Sequence, residues 1–197
     1  LLQERNCLML HVLYDTGIRR GELLGLYVSD IDFENGVVRI RRRHHASSDP
    51  RIHQPLQKTK ERDIPVSEAL QSFLYRYITE VRTTHPRARK HPVLFVNHEK
   101  HRKGMPLGIE GFKHVYRTVV QKFPVMKGLH PHLLRHDFNY RLSKMLERMD
   151  GWDDLTAEEK QIRDTQIRSD VMGWSPTGKM QQIYNARYLR ESADKLL

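Results

Sequence analysis

One stretch near the front of the chain, DFENGVVRIR at residues 32–41, decides the fold class. Asn35-Gly36 separates two β-prone runs, and Asn-Gly in that setting is the strongest short sequence signal for a β-hairpin. A polar loop over 42–57 leads to a third β-prone segment at 62–66, whose Pro65 favours a sheet edge or a strand end. These segments predict one small antiparallel sheet near the front of the fold.

Helical patterns surround this sheet on both sides. Apolar residues recur there at i, i+3, i+4 and i+7, and Ser67 and Thr156 stand where helix N-caps are expected. We predict helices at 2–14, 68–83, 109–122, 131–149, from Thr156 to about Met172 and at 180–196, a short helix with Leu23, Leu24 and Leu26, and a strand-like run at 93–96. The predicted fold class is mainly α with a small antiparallel β-sheet (α+β), in a single domain over residues 1–197.

The composition favours a soluble protein that works with nucleic acid. The 34 Lys and Arg residues exceed the 24 Asp and Glu residues and give a formal net charge of +10, an excess for which nucleic acid is the commonest partner. Hydrophobic residues make up 38% of the chain, which is enough to form a core, and no stretch is apolar enough to predict a membrane span. The single cysteine, Cys7, excludes an intramolecular disulfide, and its apolar helical surroundings predict a buried thiol.

Two common kinds of catalytic motif are excluded. Neither G-x-G-x-x-G nor G-x-x-x-x-G-K-S/T occurs, so no glycine-rich phosphate loop is predicted. His132 and His136 have the i, i+4 spacing of zinc ligands, but Leu133 stands where a zinc protease needs its glutamate base. We predict no metal site and no cofactor.

Four motifs carry residues suited to phosphate chemistry. They are TGIRRGELLGL at 16–26, KTKERDIPV at 58–66, HLLRH at 132–136, and MGWSP at 172–176 followed by QIY at 182–184. On a helix His132 and Arg135 share one face, because residues i and i+3 are neighbours. Taken alone, the first motif fits an ordinary helix junction and the second a solvated hairpin. The third fits a surface pair of residues, and the fourth fits a tyrosine in the core.

Together and in this order, the four motifs resemble those of the tyrosine recombinase (phage integrase) family. The resemblance extends from Thr16 to Tyr184. It implies the catalytic-domain fold of that family and a site-specific recombinase or integrase that breaks and rejoins DNA through a 3′-phosphotyrosyl intermediate, without metal or ATP. Two alternatives use the same fold: type IB topoisomerase-like relaxation of DNA, and a DNA-binding module without catalytic activity.

The resemblance also implies a role for each matching residue. Arg19 and Arg135 would bind the non-bridging oxygens of the scissile phosphate, and His132 would hydrogen-bond the phosphate and help to take the tyrosine proton. Lys58 would protonate the leaving 5′ oxygen, and Tyr184 would attack phosphorus. Two further roles are implied: Trp174 would donate its indole N–H to a phosphate oxygen, and Glu22 would support the site without reacting.

The sequence departs from the family pattern in three places. Trp174 stands where most members have histidine, and the segment from Arg135 to Trp174 is longer than usual, with an apparent insertion around residues 149–165. The spacing from Trp174 to Tyr184 is one residue longer than in the family pattern, which leaves Tyr188, one helical turn on, as an alternative nucleophile. Lys60 is the alternative to Lys58 in the hairpin loop.

Double-stranded DNA is the expected partner. We predict DNA contacts from five basic residues: Arg20, Arg41, Arg43, Lys60 and Arg62. The resemblance implies a homotetramer on two DNA duplexes, a monomer in isolation, no membrane association, and a cytoplasmic location with nucleoid association when bound to DNA. In this family an N-terminal core-binding domain completes the clamp around DNA, and we expect residues 1–197 to lack it.

Overall fold

The computed structural model describes residues 2–57 and 59–175, so Lys58, Tyr184, Tyr188 and the predicted helix at 180–196 lie outside it. Within these ranges six α-helices surround a three-stranded sheet. In chain order the elements are α1 (Leu2–Thr16), α2 (Arg20–Gly25), β1 (Ile31–Asp32), β2 (Val37–Ile40), β3 (Arg62–Pro65), α3 (Glu68–Arg76), α4 (Ile109–Lys122), α5 (Pro131–Leu146) and α6 (Ala157–Met172). The predicted fold class is confirmed.

The sheet is antiparallel in the order β1-β2-β3. Ile31 pairs with Val38 across the predicted hairpin, and Ile40 pairs with Arg62 on the other side of β2. The predicted strand at 93–96 is wrong: Val93 and Val96 form only isolated bridges, to Tyr27 and Pro106. The segment is nevertheless buried, because its apolar side chains belong to the main core.

The main core lies between α1, α3, α4 and the sheet. Its buried side chains include Leu8, Leu13, Leu24, Val38 and Phe95. The prediction that Cys7 is buried is wrong, because the residue lies on the exposed side of α1. An apolar neighbourhood in the sequence does not show which way one side chain of a helix points.

A second, smaller core holds α6 against α5. It contains Phe138, Leu142 and Leu146 of α5 with Met172 and Trp174. Beside it the buried Arg168 of α6 donates from Nη1 to Asn139 Oδ1 at 2.6 Å and from Nη2 to Ser143 Oγ at 2.7 Å. This network fixes the end of α6, and with it Trp174, close to α5.

The turn between α1 and α2 requires glycine. Gly17 has φ +61°, a left-handed conformation, and a Cβ at this position would lie 2.4 Å from Cδ1 of Phe138. With no side chain at this point, the turn packs directly on α5. The first residue after it, Ile18, is buried, and Arg19 follows at the start of α2 beside the first turns of α5.

Candidate active site

The starts of α2 and α5 enclose a cavity of about 370 Å³. Arg19, Arg20, His132 and Arg135 line it, together with His130, which the sequence analysis did not single out. Three of the six residues predicted to be catalytic thus meet at one place, although they come from two distant segments of the chain. A cavity with three arginines and two histidines on its walls is suited to an anion.

Arg135 is held rigidly in the wall of this cavity. Its side chain is 1% exposed, and its Nη1 and Nη2 atoms donate to the carbonyl oxygens of Gly17, at 2.6 Å, and Met172, at 3.0 Å. These two acceptors carry no formal charge, so they orient the guanidinium without neutralising it. The guanidinium also stacks over the Trp174 ring at 5.5 Å.

Arg19 occupies the N-cap position of α2 in an extended conformation. Its backbone N–H donates to Oε2 of Glu22 at 2.7 Å, which fixes the start of the helix. Among residues 2–57 and 59–175, its buried Nη1 atom has no hydrogen-bond partner. A buried donor without a partner costs roughly 1–3 kcal/mol, so an anion that accepts from it would recover that cost.

His132 lies at the exposed edge of the cavity, with its ring edge-on to His136 at 4.8 Å. Partial burial, followed by the positive charges of Arg135, His130 and Arg19, lowers the pKa of His132 below its ordinary value. The imidazole is therefore neutral near pH 7. A neutral imidazole can donate from one nitrogen and accept a proton at the other.

His130 is the N-cap of α5. Its Nδ1 atom accepts from the backbone N–H of Leu133 at 3.1 Å, which caps the first turn of the helix. The available sequence signal was Pro131, because proline favours the first position of a helix and so marks the residue before it as the cap. Histidine is an unusual residue at a helix N-cap, so its presence before Pro131 does not by itself predict this role.

Glu22 joins α2 to the hairpin. Its carboxylate accepts from Nη1 of Arg62 at 3.0 Å, from Nη2 of the same residue at 3.1 Å, and from the hydroxyl of Thr59. Burial alone would raise the pKa of Glu22, but these hydrogen bonds and the charge of Arg62 outweigh it and hold the pKa below its ordinary value. The supporting role of Glu22 stays a prediction.

Glu22→Gln is expected to lower the free energy of unfolding by about 3 kcal/mol at pH 7, because it removes the charge that compensates the buried Arg62 guanidinium. The folded-state pKa of Glu22 is lowered, so the stabilisation is complete above the ordinary glutamate pKa of about 4.3 and is lost as the pH falls through the folded value. Urea unfolding at pH 7 and at pH 3 tests this.

The exposed Glu34 provides a matched control. Glu34→Gln should stay within about 0.5 kcal/mol of the wild type at both pH values. A Glu22→Gln deficit of the same size at pH 3 as at pH 7 would contradict the pKa argument.

The five basic residues predicted to contact DNA occupy different environments. Arg20 and Lys60 are exposed. Arg41 and Arg43 are partly exposed and form ion pairs, with Asp63 at 2.7 Å and with the buried Asp30 at 2.5 Å. The side chain of Arg62 is 6% exposed.

Arg62 is held by contacts within the protein. Besides its bonds to Glu22, its Nε atom donates to the carbonyl oxygen of Val171 at 2.8 Å. Its guanidinium passes close to Gly173, where a Cβ would lie 2.8 Å from Nη1. Gly173, with φ +65°, ends α6 directly before Trp174, so the Arg62 side chain links the hairpin to that turn.

Trp174 is 4% exposed and packs in the smaller core. Lys58 and Tyr184, the remaining two predicted catalytic residues, lie outside the described residues. Across residues 2–57 and 59–175, no group of three His, Cys, Asp or Glu residues is arranged to hold a metal ion. Among the same residues, no helix is long and apolar enough to cross a membrane.

Comparison with known proteins identifies the relatives of this chain. Residues 2–156 match the profile of the phage integrase family. Tyrosine recombinase XerD of Halalkalibacterium halodurans is 33% identical over 134 residues, 68% of this chain and 39% of that protein. Tyrosine recombinase XerD of Oceanobacillus iheyensis is 28% identical over 174 residues, 85% of this chain and 52% of that protein.

Solved structures share the fold. The Tn1549 transposon integrase, in complex with transposon right end DNA, superposes with a TM-score of 0.64 at 21% identity, over 99% of this chain and 60% of that one. Compared with the two XerD relatives, this chain spans about two fifths of the length of the first and about one half of the length of the second.

Proposed function

The chain belongs to the phage integrase family, and on that premise we propose that it is the catalytic domain of a site-specific DNA recombinase. One observation carries the proposal: Arg19, His132 and Arg135 line a single cavity, although Arg19 comes from a different motif than the other two. The substrate is double-stranded DNA, and the reaction proceeds through a 3′-phosphotyrosyl intermediate.

The cavity receives the scissile phosphate. Arg19 donates to one non-bridging oxygen through its buried Nη1, and Arg135, oriented by Gly17 and Met172, binds the other. Negative charge grows on these oxygens as phosphorus becomes five-coordinate. A fixed donor aimed at such charge is worth roughly 3–4 kcal/mol in the transition state.

Bond making and bond breaking balance in this reaction. The tyrosine oxygen of Tyr184 forms a bond to phosphorus while the bond from phosphorus to the 5′ oxygen breaks. His132 accepts the tyrosine proton, and Lys58 supplies a proton to the leaving oxygen. The new phosphodiester conserves the bond energy, so the reverse attack by a 5′ hydroxyl rejoins the strand without ATP.

Several residues position these groups. Glu22 fixes the amide of Arg19 and binds the hydroxyl of Thr59, so it ties the residue next to Lys58 to the start of α2. We assign Arg62 to the same network and not to DNA contact. Trp174 stacks on Arg135, and its indole N–H is proposed to donate to a phosphate oxygen.

Further DNA contacts come first from Arg20, at the wall of the cavity, and from Lys60, both of which are exposed. Arg41 and Arg43 contribute less because Asp63 and Asp30 already compensate their charges. We further propose that the protein is a monomer in isolation and a homotetramer on two duplexes. Its proposed location is the cytoplasm, with nucleoid association when it is bound to DNA.

Covalent trapping tests the proposed reaction. The full-length protein is mixed with nicked duplexes that carry the sequences flanking its gene, because a nick near the cleaved bond lets the released 5′ end diffuse away. We expect a protein–DNA adduct that survives a denaturing gel. Tight binding without any adduct would support a non-catalytic DNA-binding module, and relaxation of plasmids that lack the target would support a topoisomerase-like enzyme.

A further inference from the structure

A second cavity, of about 450 Å³, lies beside the proposed phosphate site, between α4 and the chain that enters α5. The two cavities share Arg20, His130 and Pro131 as a common wall. A ligand in the second cavity would therefore be a neighbour of the phosphate in the first. No step of strand cleavage as proposed above uses this second cavity.

Tyr116, one of the residues that line the second cavity, carries a buried hydroxyl. Tyr116 is 7% exposed, and within the described part of the chain its hydroxyl has no hydrogen-bond partner. Burial raises the pKa of Tyr116 above its ordinary value, so the hydroxyl keeps its proton and can donate it. Buried hydroxyls are almost always hydrogen-bonded in folded proteins, so this one indicates an acceptor supplied by a ligand.

The walls of the cavity are apolar and aromatic, whereas its rim is cationic. The ring of Phe112 lies 5.2 Å from that of Tyr116, and Leu129 and Pro131 continue the apolar surface. Arg20 and Arg117 are exposed at the rim, where the carboxylate of Glu110 is already paired with Lys113 at 2.7 Å, so the net charge of the rim is positive. The matching ligand is flat, has apolar faces and an acceptor on its edge, and is attached to a phosphate.

We propose that this cavity receives one nucleobase of the bound DNA, unpaired and turned out of the duplex, from a nucleotide next to the scissile phosphate. The Tyr116 hydroxyl donates to an acceptor on the edge of the base, and Arg20 binds the phosphate that leads to it. The cavity volume is within the range of about 300–1,000 Å³ that is usual for small-ligand sites.

The inference rests on the proposed function, which also supplies a reason for such a site. Strand exchange requires the cleaved end to leave its complement before it can join another duplex. Bases beside the break must therefore unpair, at a cost of a few kcal/mol for each base. A site that binds one unpaired base offsets part of this cost.

Tyr116→Phe, which removes only the hydroxyl, is the test. Apparent Kd values are measured by gel mobility shift for the full-length protein on the duplex that forms the covalent adduct. They are also measured on versions of it with an abasic nucleotide at each position near the cleaved phosphate. We expect Tyr116→Phe to weaken binding about three- to tenfold on the intact duplex and not at all when the bound base is the one removed.

Two controls separate this result from misfolding and from failure of the proposed reaction. Tyr116→Phe should unfold at the same temperature as the wild type or higher, since it removes a buried hydroxyl that has no partner in the described part of the chain. Tyr75→Phe, at an exposed tyrosine of α3, should bind every duplex as the wild type does. A Tyr116→Phe effect that is absent, or equal on all duplexes while the adduct still forms, would overturn the base site alone. If the wild type forms no adduct, the proposed reaction fails first, and the base site fails with it.

Discussion

Arg135→Lys should lower the rate of covalent adduct formation by about 10²–10³-fold while DNA binding changes little. Lysine keeps the charge, but its single ammonium cannot bond to both Gly17 and Met172 and still present donors to a phosphate, as the planar guanidinium can. Binding depends on many phosphate contacts, of which this is one, so most of the affinity remains. The measurement is a time course of adduct formation on nicked DNA at saturating protein.

Arg148→Lys is the matched control, since Arg148 is exposed just beyond the end of α5. It should react at the rate of the wild type. The thermal midpoint of Arg135→Lys has to be measured beside it, because the replaced side chain is buried between α5, α6 and the α1–α2 turn. A folded Arg135→Lys variant that reacts within about threefold of the wild type would show that Arg135 does not stabilise the transition state.

Local sequence patterns predicted the elements that a few neighbouring residues determine. Asn35-Gly36 and the β-prone runs around it predicted the hairpin, and Ser67 marked the start of α3. The predicted helix at 68–83 begins correctly, but only Glu68–Arg76 is regular α-helix. After it the chain widens into a π-helical turn at Tyr77–Val81 and then a 3₁₀ turn at Arg82–Thr84. Tertiary packing sets that ending, and periodicity does not encode it.

In the candidate site, too, the sequence predicted some features and not others. Arg19, His132 and Arg135 were predicted by the order of the motifs, and the structure brings them together. Arg62 was assigned to DNA because a basic residue in a hairpin is usually solvated. Its partners in the structure, Glu22 and the carbonyl of Val171, lie 40 and 109 positions away in the sequence. No local pattern reports contacts at such separations.

The cavity beside α4 could not have been inferred from the sequence. Phe112 and Tyr116 are four residues apart on a helix and predict only an apolar face. That the Tyr116 hydroxyl is buried without a partner among residues 2–57 and 59–175 depends on where the chain before α5 passes, and this is a property of the folded molecule. The sequence therefore predicts a reaction class, and the structure adds what surrounds the proposed phosphate site.

Tyr184→Phe should abolish the covalent adduct, whereas Tyr188→Phe should leave its yield unchanged. Phenylalanine keeps the ring and removes only the oxygen that would bond to phosphorus, so binding to the target duplex should persist. Tyrosine has an ordinary pKa of about 10 and needs a neighbouring acceptor to react near pH 7. The lowered pKa of His132 suits that role, since a neutral imidazole can take the proton.

The two tyrosines are four residues apart, about one helical turn, so a shift in register exchanges their roles. Both variants are run on one denaturing gel with the wild type, and the adduct of the wild type is digested with protease to identify the modified residue. Loss of the adduct with Tyr188→Phe alone would move the nucleophile by one turn and leave the reaction class intact. An adduct that survives in the Tyr184→Phe, Tyr188→Phe double variant would exclude both tyrosines, and with them the alignment of the last motif from Trp174 onward.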